Sequence, residues 1–89
     1  MSTHTSHPDV IKRLRRAEGH LKSIITMLAE GRPCLDIAQQ LQAVENAVTN
    51  AKKTLVHDHI DHCLEQALRD ETQSAGDTLR EFKAITKYL

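Results

Sequence analysis

The 89-residue chain has no tryptophan, a single tyrosine (Tyr88), a single phenylalanine (Phe82), only two cysteines, and no apolar run long enough to cross a membrane. Each shortage excludes something. Two cysteines cannot build a disulfide scaffold, two aromatic rings cannot fill an aromatic core, and a bilayer-spanning helix needs ~20 apolar residues. The polar start, residues 1–8, lacks the apolar stretch of a secretory signal, so a soluble cytoplasmic protein with reduced thiols is expected. No paired carboxylates, nucleophile beside a base or phosphate-cradling glycine loop is apparent, so no enzyme activity is expected. A domain of this size buries a limited share of its surface, which leaves oligomerisation or a bound metal to supplement the core.

What is present is helical periodicity. After a tail over residues 1–7, Pro8 suits a first helical turn, and Val10, Leu14, Ala17, Leu21, Ile24 and Leu28 recur at the spacing of one helix face. Gly31 and Pro33 end that segment. A second segment runs without glycine or proline from about Cys34 to about Leu68, with Leu41, Val44, Val48, Ala51 and Leu55 as its seam. A polar linker, Thr72, Gln73, Ser74, Ala75 and Gly76, precedes a third helix over about 77–89 with Leu79, Phe82, Ile85 and Leu89 on one face. The reading is all-α: a single 89-residue domain with three helices per protomer. A long helix with a narrow seam cannot bury itself alone, so an antiparallel dimer with a helical-bundle core is expected.

The net charge is zero, but it is unevenly placed. From Val10 to Pro33, Lys12, Arg13, Arg15, Arg16, Lys22 and Arg32 outnumber Glu18 and Glu30, whereas residues 58–81 are strongly acidic. Such a chain can bind a polyanion locally while remaining neutral overall. Lys12, Arg13, Arg15, Arg16, Lys52 and Lys53 are the candidate DNA contacts. The same charges also suit an ordinary solvated helix face.

Histidine and cysteine cluster at His57, His59, His62 and Cys63. Residues four apart share a helix face, so His59 and Cys63 can reach one ion. The spacing equally fits a surface histidine and a small core cysteine. His57 and His62 read as solvated or outer groups, and Asp58, Asp61 and Glu65 as a hydrated face. Cys34 would lie about 37 Å from His59 on a straight helix. A single chain cannot join them, but in an antiparallel pair Cys34 of one protomer meets His59 and Cys63 of its partner, and metal binding is thereby tied to subunit geometry.

The set Cys34, His59 and Cys63 resembles the ligand pattern of the CsoR/RcnR family of bacterial metal-sensing repressors. Arg13-Leu14-Arg15-Arg16-Ala17-Glu18-Gly19-His20-Leu21 is similar to that family's basic first helix, and Gln39-Gln40-Leu41-Gln42-Ala43-Val44 to the start of its second. The resemblance covers nearly the whole chain. It implies a dimer built on the second helix, a tetramer formed from two dimers, and repression of metal-efflux genes relieved when metal binds. Within the family a Cys, His, Cys set alone implies copper(I), and an added N-terminal histidine implies nickel(II) or cobalt(II). His4 and His7 lie in the tail, while the family spacing would put the extra ligand near Ser2. The tail Glu81 to Leu89 also resembles the nickel and cobalt branch, so nickel(II) or cobalt(II) is the expected effector and copper(I) the alternative. Persulfide-sensing relatives lack the histidine that His59 supplies, and formaldehyde-sensing relatives have a proline where this chain has Ser2. The expected partner is double-stranded, G/C-rich operator DNA. A metal storage or delivery protein, or a purely structural helical oligomer, would need no such basic helix.

Overall fold

The computed structural model describes residues 5–69 and 75–89. His4, from the expected metal ligands, and Thr72, Gln73 and Ser74, from the expected linker, lie outside the described residues. Three helices are present, α1 (His7–Ala29), α2 (Cys34–Arg69) and α3 (Ala75–Thr86), and the described residues contain no strand. The all-α reading holds. Gly76, assigned above to the linker, instead belongs to the first turn of α3.

Local chemistry sets the helix ends. Pro8 occupies the first turn of α1, where its missing N–H has no intrahelical partner to lose. At the other end Gly31 takes a left-handed φ of 69°. Its N–H donates to Leu28 O at 3.1 Å, and the Arg32 N–H donates to Met27 O at 3.0 Å. This pair of bonds caps the last carbonyls of the helix and needs a residue without a Cβ at the turn. The Pro33 carbonyl then accepts the Ile37 N–H at 3.1 Å, so α2 begins at once. The short connection turns α2 back along α1 as an antiparallel hairpin.

Each hairpin helix carries two apolar stripes of seven-residue period. The inner stripes, Val10, Ala17 and Ile24 on α1 and Ile37, Val44 and Ala51 on α2, are buried. Ala17, Ile24, Ile37 and Val44 form one packed cluster, with Met27 against it. The outer stripes sit four residues further on: Leu14, Leu21 and Leu28 on α1, and Leu41, Val48 and Leu55 on α2. They are open, with 37–58% of their surface exposed. A four-residue step rotates each outer stripe by ~40° in the same sense about its own axis. Because the helices are antiparallel, both outer stripes fall on the same side of the hairpin, and together they make one continuous apolar face. The seam read from the sequence thus divides, half of it closing the hairpin and half remaining exposed.

At 36 residues α2 outlasts the 23 of α1. The surplus, about 20 Å of helix, is where α3 packs; among the described residues α3 touches α2 and not α1. The result is a rod of 60 × 22 × 13 Å. The packing face of α3 differs from the expected one. Thr78 is its buried residue, Phe82 and Ile85 are half-buried, and Leu79 and Leu89 are exposed. The helix ends at Thr86, so Leu89 is not on it at all.

Ile24, 2% exposed at the centre of the hairpin, is the test of this core. Ile24→Ala is expected to lower the unfolding free energy by about 2–5 kcal/mol in chemical denaturation. Gly31→Ala should cost about 1–2 kcal/mol by the same measurement, because its left-handed φ strains any side chain.

Candidate metal centre

The overhang of α2 carries the candidate metal ligands His59 and Cys63. Val56 and Cys63, seven residues apart, are almost fully buried, and Cys63 faces Thr78 and Phe82 of α3. His59, one turn before Cys63, keeps a side-chain exposure of 27%. From α3, Glu81 reaches toward them, with Oε2 3.9 Å from His59 Nε2. Among the described residues, His59, Cys63 and Glu81 form a group whose potential ligand atoms all lie within 4.8 Å of one another. The spacing on α2 was legible in the sequence; Glu81 was not. Asp58, Asp61 and Glu65, read above as a hydrated face, are the carboxylates near the histidine on α2 itself. Glu81 sits eighteen residues beyond Cys63, on a helix whose docking face depends on Thr78 rather than Leu79. No local spacing signals that contact.

Burial pushes the Cys63 thiol up from its ordinary value, and the Glu81 carboxylate adds to the shift. The burial has a visible source. Cys63 lines a cavity of about 390 Å³ with Leu64, Ala67, Thr78, Leu79 and Phe82, nearly all apolar. On the other side of the group, His59 and Glu81 line a smaller recess of about 230 Å³ with Ala84, Ile85 and Tyr88. The thiol is held protonated, and a cation replacing that proton is favoured by the adjacent imidazole and carboxylate. Thiol and imidazole together fit nickel, cobalt or copper, whereas carboxylate is a harder ligand.

The other expected ligands are placed apart from this group. Cys34 is exposed at the first residue of α2, about 37 Å from His59 by helical rise. His7 begins α1. Thr5, between the two tail histidines in sequence, lines a groove with Asp58, Asp61, His62, Leu64, Glu65, Leu68 and Arg69. Neither His59 nor Cys63 lines that groove, whose α2 residues lie further around the helix from the pair. His57 is exposed and His62 half-buried.

The basic candidates are all exposed: Lys12, Arg13, Arg15 and Arg16 on α1, Lys52 and Lys53 on α2. The bond between His20 Nε2 and Gln40 Oε1 crosses the hairpin and marks its register. That register sets Lys52 and Lys53 level with the start of α1. Among the described residues no helix is long and apolar enough to cross a membrane.

The thiol shift has a sign that can be measured. A native pKa above the unfolded one means the folded chain holds this proton more tightly, so the associated stability is complete below the unfolded value and is lost as pH rises through the native one. In a Cys34→Ser background, thiolate absorbance should titrate above the ordinary cysteine range, and Glu81→Gln should move its midpoint down. Metal affinity should rise with pH across that interval, because binding releases the proton.

A family model described as a metal-sensitive transcriptional repressor matches residues 6–88. The copper-sensing transcriptional repressor CsoR of Bacillus subtilis (strain 168) is 36% identical over 80 residues, spanning 88% of this chain and 79% of the relative. The copper-sensing repressor RicR of Mycobacterium tuberculosis is 34% identical over 78 residues, with 88% and 81% covered. Among solved structures, the nickel-responsive transcriptional regulator InrS superposes with a TM-score of 0.83 at 28% identity, over 100% of this chain and 99% of that one. With a repressor-family match over nearly its whole length and the same three-helix fold, the chain belongs to the CsoR/RcnR family of metal-sensing transcriptional repressors and is not an enzyme.

Proposed function

We propose that this repressor binds operator DNA without metal and releases it when nickel(II) or cobalt(II) binds, derepressing metal efflux. The observation that carries the proposal is the separation of the ligands. His59 and Cys63 converge at one end of a 36-residue helix while Cys34 is exposed at the other. Completing a Cys34, His59, Cys63 set takes a second copy, with α2 packed antiparallel against α2. The open face of Leu14, Leu21, Leu28, Leu41, Val48 and Leu55 supports such a pairing, since a monomer leaves it in water. An ion held across two protomers binds one arrangement of them better than another, which is what a switch requires. The bound ion would supply a cross-link between subunits; the chain's own residues position it and adjust its proton cost. A dimer of dimers would join several basic α1 faces into one DNA-binding surface.

The choice of nickel or cobalt rests on the tail. His4 and His7 in the tail would add imidazole ligands, and added nitrogen ligands favour nickel(II) and cobalt(II) over copper(I). The nickel-responsive regulator with the same fold agrees with this. The second reading is copper(I), favoured by the copper-sensing relatives and by a soft Cys, His, Cys set.

For DNA, Lys12, Arg13, Arg15 and Arg16, with Lys52 and Lys53, would neutralise phosphates, and arginine's affinity for guanine edges points to a G/C-rich operator. A storage or delivery protein would use the same ligands without this basic helix.

Two measurements test the proposal. Arg13→Ala with Arg16→Ala is expected to weaken operator binding, flatten its salt dependence and leave metal affinity unchanged; unaltered DNA affinity refutes the assignment. In release titrations, nickel and cobalt should free the DNA and a His4→Ala, His7→Ala variant should respond poorly. Release by copper(I) alone, with that variant unaffected, selects the copper reading.

A further inference from the structure

Asp9 is the single acidic residue between His7 and Ala17, a stretch that also contains Lys12, Arg13, Arg15 and Arg16. As part of a surface built only to neutralise phosphate it is a poor choice, because it cancels one charge and repels the ligand. As a stability device the exposed ion pair contributes weakly, and the place of Asp9 in the first turn of α1 adds only a modest helix-dipole gain. Its geometry suggests another purpose. Arg13 donates from Nε to Asp9 Oδ2 at 2.7 Å, with both side chains about half exposed. The bond uses the side edge of the guanidinium and biases its orientation. The end edge, carrying the two terminal nitrogens, is the one that matches O6 and N7 of guanine with two parallel hydrogen bonds. Asp9 is held below the usual carboxylate range, first by the hydrogen bond from Arg13, with Lys12 and Arg16 also contributing. It therefore remains a charged acceptor, and the guanidinium stays oriented.

We infer that Arg13, oriented by Asp9, reads a guanine edge in the major groove, while the neighbouring Lys12, Arg15 and Arg16 hold phosphates. This rests on the DNA-binding reading above and assigns different work to residues that composition alone makes equivalent. Asp9 is a positioning residue here, acting on DNA only through Arg13. Ordering the guanidinium before binding reduces the entropy lost on contact, and Arg13→Lys, which keeps the charge, would lose the two-pronged contact.

The test is selection of binding sites from a randomised DNA duplex library with the metal-free full chain, in parallel for wild type, Asp9→Ala, Asp9→Asn and Arg13→Lys. Circular dichroism confirms that each variant keeps its helices. Wild type should enrich an operator with an invariant guanine in each half-site, and the three variants should lose that one preference while keeping the others. Replacing that guanine with 7-deazaguanine, which lacks the N7 acceptor, should weaken wild-type binding roughly five- to a hundredfold, and should barely affect the variants. If the Asp9 variants instead bind every duplex more tightly with an unchanged sequence preference, Asp9 is only a counter-charge and the inference is overturned. A wild-type chain that retains no duplex overturns the DNA-binding reading itself, and this one with it.

Discussion

The unbroken length of α2 is the constraint on which the rest of this molecule depends. No glycine or proline interrupts it between Cys34 and Arg69, and a helix of that length is rigid enough to keep its two ends apart. One end carries an exposed thiol; the other carries an imidazole and a buried thiol. Between them α1 covers only part of the helix and α3 covers the remainder from a different side. A rod only 13 Å deep in its thinnest dimension has no third layer with which to bury the outer leucines. The same feature therefore separates the candidate ligands and leaves an apolar face open to solvent.

Chemistry at the far end of α2 follows from the docking of α3. An apolar cavity beside Cys63 and a carboxylate next to it both disfavour the thiolate. A metal-free site with a protonated thiol is electrically quieter than one holding a buried anion next to Glu81. Exchanging that proton for a divalent cation would offset the negative charge that the thiolate and Glu81 place there, and α3 would feel the change through Glu81. The candidate metal group lies just beyond Lys52 and Lys53 on α2, so it and the basic start of α1 share one end of the hairpin.

The fold was largely readable from residue order because its signals are local. Helical periodicity, Pro8 in a first turn, and Gly31 before Pro33 identify helices and their ends without reference to anything distant. The His59 and Cys63 pair was readable for the same reason, since four-residue spacing on a helix fixes a shared face. Where the reading went astray, the cause was tertiary. On α3 the leucines outweigh a threonine in any apolar count, yet Thr78 is the innermost side chain. Its hydroxyl is small enough for close approach to α2, whereas Leu79 lies one residue, or ~100°, away around the helix.

By itself the sequence determined three helices, the turn between the first two, the basic character of α1 and the pairing of His59 with Cys63, because each is a matter of spacing along the chain. Only the tertiary structure decided which half of the leucine seam closes the hairpin and which stays open. It alone brought Glu81 against His59, since that contact depends on how one helix rolls over another. Periodicity specifies that a face is apolar; it does not specify what will cover it.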